Sequence, residues 1–142
     1  MSGYRTIMVA IDRSEQSDRA VGEARDLAKA TGGVIHLFHL REHELIVGKS
    51  GGSFERESDE EAQALLEKEL AVLREAGVDV VADVRRGRLD EAAQAILQVA
   101  DEVFADVLVI GLRGPSIFPS LMLGGTSYKI LHLAKRPVLV VP

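Results

Sequence analysis

An α/β fold with a doubly wound, five-stranded parallel sheet is what this sequence predicts, and three observations predict it. Short apolar runs alternate with segments of helical period along the whole chain. Several of those runs are continuously apolar, as strands covered on both faces should be. Glycines cluster where the fourth run gives way to the last helix, the place where a parallel sheet opens a ligand crevice. Right-handed crossovers then put helices on both faces.

The elements follow in order. Thr6-Ile-Met-Val-Ala-Ile11 is the first strand, with Asp12 directly after it. Ser14 is placed to cap a helix whose Ala20, Val21, Ala24, Leu27 and Ala28 recur at helical spacing, and Gly32-Gly33 stops it. Residues 34–40 are a second strand. Residues 41–56 have no period, mixed charge and Gly48, Gly51 and Gly52, which reads as a mobile surface loop. A helix over 58–76 buries Ala62, Leu65, Leu66, Leu70 and Leu73, and Ser58 with Glu61 has capping-box spacing. Residues 79–85 form the third strand, and residues 89–103 a helix with Ala92, Ala93, Ile96, Leu97 and Ala100 inward. Residues 107–110 are the fourth strand, 128–134 a short helix, and 138–141 the fifth strand. No repeat, linker or low-complexity tract divides the chain, so residues 1–142 are expected to form a single domain.

Composition narrows the function classes. The chain has 142 residues, 46% hydrophobic and 27% charged, enough for one proper core. Seventeen basic and 22 acidic residues give a net charge of −5, which disfavours nonspecific nucleic-acid binding. There is no cysteine, so disulfides and thiol chemistry are excluded. No apolar run approaches the ~20 residues of a membrane span, so no membrane insertion is expected. The N-terminal Met-Ser-Gly-Tyr-Arg-Thr lacks a signal-peptide pattern, and the expectation is a cytoplasmic protein.

The candidate site lies where strands 1 and 4 end. Asp12 stands at one end and the stretch Gly111-Leu-Arg-Gly114, nine residues, Gly124-Gly125-Thr126-Ser127 at the other. Glycines let backbone N–H groups approach an anion, and a helix start adds unpaired N–H groups and partial positive charge. Arg113 is a phosphate candidate inside the loop, and a carboxylate opposite suits ribose or base hydrogen bonds. Asp12 also fits a plain turn or cap. His39 and Leu40, ending strand 2, are placed to wall an adenine pocket. Walker and dinucleotide glycine motifs are absent. Arg85, Arg86 and Arg88 read first as solvated surface, as does the acidic run Glu55, Glu57, Asp59, Glu60, Glu61. His36, His39, His43 and His132 lack the spacing of a helical zinc site, and no metal site is expected from protein alone.

Val9-Ala-Ile-Asp12-Arg-Ser14, the Gly-x-x-Gly-x9-Gly loop from Gly111 to Gly124, and Arg136-Pro137-Val-Leu-Val-Val141 resemble the universal stress protein family, in the family's order and across the whole chain. The resemblance implies a five-stranded sheet of order 3-2-1-4-5 and ATP or another adenine nucleotide, with Mg accompanying the phosphates if metal is present. Together with the placement of the site at the strand ends, it puts the expected nucleotide contacts at Ala10, Asp12, Ser14, His39, Leu40, Gly111, Arg113, Gly114, Gly124, Gly125, Thr126 and Ser127. Two departures stand out: Gly125 where the family pattern has Ser or Thr, and Arg13 where Gly is common. AMP, a cyclic nucleotide or no nucleotide at all therefore stays open, the last making the chain a dimeric interaction module with a degenerate pocket. The resemblance also implies a homodimer. The apolar edge strand Val138, Leu139, Val140 and Val141 is its expected seam. A stress-response or regulatory role is implied, with a protein partner the sequence does not name. No fast catalysis is expected, though slow ATP hydrolysis stays open.

Overall fold

The computed structural model describes residues 3–45, 53–55, 57–112 and 125–142. The elements are β1 (Thr6–Ile11), α1 (Glu15–Thr31), β2 (Val34–Leu45), β3 (Ser53–Glu55), α2 (Asp59–Glu75), β4 (Val80–Arg88), a 3-10 turn (Leu89–Glu91), α3 (Ala92–Glu102), β5 (Val107–Gly111), α4 (Gly125–Leu133) and β6 (Val138–Val141). Five strands run parallel in the order β4-β2-β1-β5-β6. Counting parallel strands alone, that is the expected 3-2-1-4-5.

Alternation along β1 separates the two layers. Ile7, Val9 and Ile11 are buried with Ala20, Val21, Ala24 and Ala28 of α1 and Leu65, Leu66 and Leu73 of α2. Met8 turns to the opposite face, with Ala92, Ala93, Ile96, Val99 and Ala100 of α3 and Ile130 of α4. Small alanines on α1 and α3 let both helices lie close to the sheet. Val99 is fully buried where the sequence pattern favoured Leu97, which is only partly buried.

The helix starts follow their caps. The Ser14 Oγ accepts from the Ser17 N–H at 3.1 Å. Ser58 and Glu61 complete a reciprocal capping box, with Glu61 N–H to Ser58 Oγ at 3.1 Å and Ser58 N–H to Glu61 Oε1 at 3.4 Å. The two glycines after α1 divide the work: Gly32 takes a left-handed φ of 74°, whereas a Cβ on Gly33 would stand 2.3 Å from the Tyr4 carbonyl oxygen.

The expected loop over 41–56 is corrected in part. Residues 41–45 extend β2, and 53–55 return as β3, antiparallel to it. Their polar sequence hid the strand, because backbone pairing on both edges, and not an apolar face, holds this segment. His43 pairs with Glu55 on one side and Arg88 on the other. β3 therefore occupies the edge of β2 that β1 occupies lower down, and lies beyond the carboxyl end of β1. The third strand likewise runs three residues past its expected end, to Arg88. α4 starts at Gly125, earlier than the expected 128.

One core feature has a pH signature. Glu69 on α2 is 2% exposed. Burial, reinforced by a hydrogen bond to Asp18 and its charge, pushes the Glu69 carboxyl from an ordinary 4.5 up to about 7. Between those values the folded chain holds a proton that the unfolded chain has released, so stability falls as pH rises through that window. The isosteric, uncharged Glu69→Gln should remove this slope. Its melting temperature relative to wild type should rise by a few degrees between pH 5 and pH 8, read by thermal unfolding at both.

Candidate functional site

The carboxyl ends of β1, β2 and β5, with the first turns of α1 and α4, enclose a cavity of about 460 Å³. That lies within the roughly 300–1,000 Å³ of small-molecule sites. It sits at the point where the chain winds one way through β2 and the other through β5. Phe38, Leu40, Ile96, Ile110 and Ile130 supply an apolar wall. Polar groups come from two sides. Asp12, Arg13, His39, Glu42 and Glu57 stand at the ends of β1 and β2 and on the chain leaving β3, while Thr126 and Ser127 face them from the start of α4.

Asp12 is both a turn residue and a cavity residue. Its Oδ1 accepts from the Ser14 N–H at 2.8 Å, and its own N–H donates to Ser17 Oγ at 2.9 Å. These bonds tie the carboxylate to the first turn of α1. Arg13 pairs with Glu61, joining that turn to the start of α2. The pair is half exposed on both sides, so it contributes little stability.

His39 and Glu57 form a buried pair, with side chains 5% and 6% exposed. The His39 Nδ1 bonds the Ile11 carbonyl oxygen at 2.8 Å, and Nε2 bonds Glu57 Oε1. Glu57 belongs to the run read from sequence as a solvated helix start. That reading is corrected here: β3 folds the chain back over the end of β1 and delivers Glu57 to His39.

Gly111 ends β5 against the first turn of α1. A Cβ there would lie 2.7 Å from Gln16 C and 2.8 Å from Ser17 N. Its lack of a side chain is thus demanded by packing as well as by any ligand. Gly125 opens α4, is exposed and has nothing within 4 Å of an added Cβ.

The comparisons with known proteins agree with this fold. Residues 3–142 match the model of the universal stress protein family. Universal stress protein G of Escherichia coli O157:H7 is 33% identical over 150 residues, covering 97% of this chain and 99% of the relative. The chain belongs to the universal stress protein family. A universal stress protein solved in complex with cAMP superposes with a TM-score of 0.76 at 26% identity, covering 99% of this chain and 98% of the other. The universal stress protein of Archaeoglobus fulgidus in complex with dAMP gives 0.71 at 25% identity, covering 99% and 100%.

In this universal stress protein, Ala10, Asp12, Ser14, His39, Leu40, Gly111, Thr126 and Ser127 all line the one cavity. Gly125 is next to the lining and not part of it. Arg113, Gly114 and Gly124 fall outside the described residues. Glu57, Glu42, Arg13 and Ser17 are the polar lining residues that sequence reasoning did not assign. Ser17 alone carried a signal, being three residues after the capping Ser14. The arginines after the third strand do not converge on the cavity. Arg85 pairs with Glu102 and Asp83, and Arg88 with Asp90 and Glu91. Among the described residues, no group of three His, Asp or Glu side chains is placed to hold a metal ion, and no helix is long and apolar enough to cross a membrane.

Proposed function

We propose that this chain is a single regulatory, cytoplasmic stress-response domain that binds an adenine nucleotide in the cavity at the ends of β1, β2 and β5. The cavity's polarity carries the reading. Carboxylates of Asp12, Glu42 and Glu57 gather on one side, where a ligand must present neutral hydrogen-bond donors. The start of α4, with Thr126 and Ser127, faces them across an apolar wall. First-turn N–H groups there have no intrahelical partner and favour an anion. A nucleotide has that same polarity, with donors on base and ribose and charge on phosphate. The relatives holding cAMP and dAMP support adenine as the base. Any Mg²⁺ arrives with the phosphates. Asp12 and Glu57 stand at the end away from the phosphates, which favours binding over fast turnover.

Native mass spectrometry of gently purified protein tests the reading. A retained adenine-nucleotide mass supports it. A clean mass of the bare chain counts against it and favours the interaction module.

Two further outcomes are expected. Gly125→Ser restores the hydroxyl usual in the family at a position with open space, so it should fold normally and tighten ATP more than adenosine, read by titration calorimetry. The protein should also be a homodimer through β6. That strand pairs only with β5 among the described residues, which leaves its other edge bare. Leu139 is its most exposed residue at 39%, whereas Val138 and Val140 pack partly against the core. Light scattering should give about twice 15.4 kDa, and Leu139→Lys should shift the population to monomer without unfolding it.

A further inference from the structure

Exposed apolar surface gathers at one corner of this chain. Among the described residues eight large apolar side chains stand exposed, and four of them, Tyr128, Leu131, Leu133 and Leu139, belong to α4 and β6. Single apolar side chains on a surface are ordinary, whereas a cluster of them marks a contact. The bare edge of β6 lies at the same corner.

α4 presents two different sides. Successive residues of an α-helix turn by about 100°, so Thr126 and Tyr128 point in nearly opposite directions on either side of Ser127. Thr126 lines the cavity, and Ser127 is buried beside it. Tyr128, 59% exposed, therefore turns away from the cavity, and Leu131, three residues on and 41% exposed, shares its side. The cavity lies at the ends of β1, β2 and β5, so this outer side of α4 faces the edge that β6 forms, where Val138 and Val140 are only partly buried. Leu139 alternates to the other face of the same strand. Two copies joined along β6 would meet apolar side chains on both faces of the seam. A two-fold axis sets a patch against its own copy, and Tyr128, Leu131 and Leu139 carry no charge to repel their counterparts. The chain's own packing holds α4 lightly: its buried residues are Ser127 and Ile130, and a helix of nine residues is marginal without tertiary support.

We propose that α4 links the nucleotide cavity to a second copy of this chain: Thr126 and Ser127 meet the ligand, Tyr128 and Leu131 dock on the two-fold mate across β6, and each event orders the helix for the other. The inference rests on the nucleotide reading and on the β6 seam. Linkage makes the effect reciprocal, so nucleotide tightens the dimer and the dimer tightens nucleotide.

Sedimentation equilibrium of the full chain over a dilution series, without ligand and with ATP, AMP or cAMP at millimolar concentration, tests this. The dimer dissociation constant should fall about fivefold or more when nucleotide is present. Tyr128→Ser combined with Leu131→Ser changes two exposed positions, so the fold should persist. The dimer of this variant should be weaker, and what remains of it should be insensitive to nucleotide. Association of wild type that nucleotide leaves unchanged, while calorimetry shows the nucleotide bound, would overturn the link and leave the nucleotide reading standing. A double variant that dimerises as tightly as wild type would overturn the docking of α4. If none of the three nucleotides gives heat with wild type, the nucleotide reading and the link fail together.

Discussion

Gly111→Ala should cost stability and ligand affinity together. The single added carbon would stand 2.7–2.8 Å from backbone atoms of Gln16 and Ser17, which cannot swing aside as a side-chain tip can. Overpacking of this kind costs about 1–3 kcal/mol. Relief requires the first turn of α1 to move away from β5. That turn carries Ser14 and Ser17, which hold Asp12 through bonds of 2.8 and 2.9 Å. Denaturant unfolding should therefore show a lower midpoint, and nucleotide affinity should fall in the fraction that stays folded. Gly125→Ala is the control, since its Cβ meets nothing within 4 Å and should leave stability near wild type. A Gly111→Ala protein as stable as wild type would show that α1 is not seated on β5 as described.

Asp12→Ala should weaken every nucleoside and nucleotide by a similar factor. Hydrogen bonds to a charged group contribute roughly 1.5–3 kcal/mol, or about 10- to 100-fold in affinity. Two effects contribute, because the substitution also frees the Ser14 N–H that Oδ1 accepts. Asp12→Asn separates them. Its amide oxygen keeps the turn while the charge is lost, so the variant should match wild-type stability and still bind less tightly. Similar losses for ATP and adenosine would place Asp12 at the sugar or base. A loss confined to ATP would place it at the phosphates and contradict the division of the cavity.

The sheet was legible because it depends on local pattern. Continuous apolar runs such as Thr6–Ile11 and the capping serines 14 and 58 speak for themselves, and topology brings Asp12 and Gly111 to one crevice. What was hidden depends on pairing at a distance. Arg41-Glu-His-Glu-Leu45 carries no strand signal, yet it is strand because β4 and β3 satisfy its backbone. Glu57 follows from that pairing. Within an acidic run it reads as a helix start, and only the return of β3 over β1 explains why it is buried against His39. Gly111 was legible as a special glycine but for half its reason, since its closeness to α1 is a contact between residues far apart in sequence.

Calorimetric titration of the wild-type chain with ATP, AMP and cAMP tests most directly the proposed binding of an adenine nucleotide in the cavity. Saturable binding of at least one of them is expected, with one site per chain. Absence of heat from all three at millimolar concentration would contradict it.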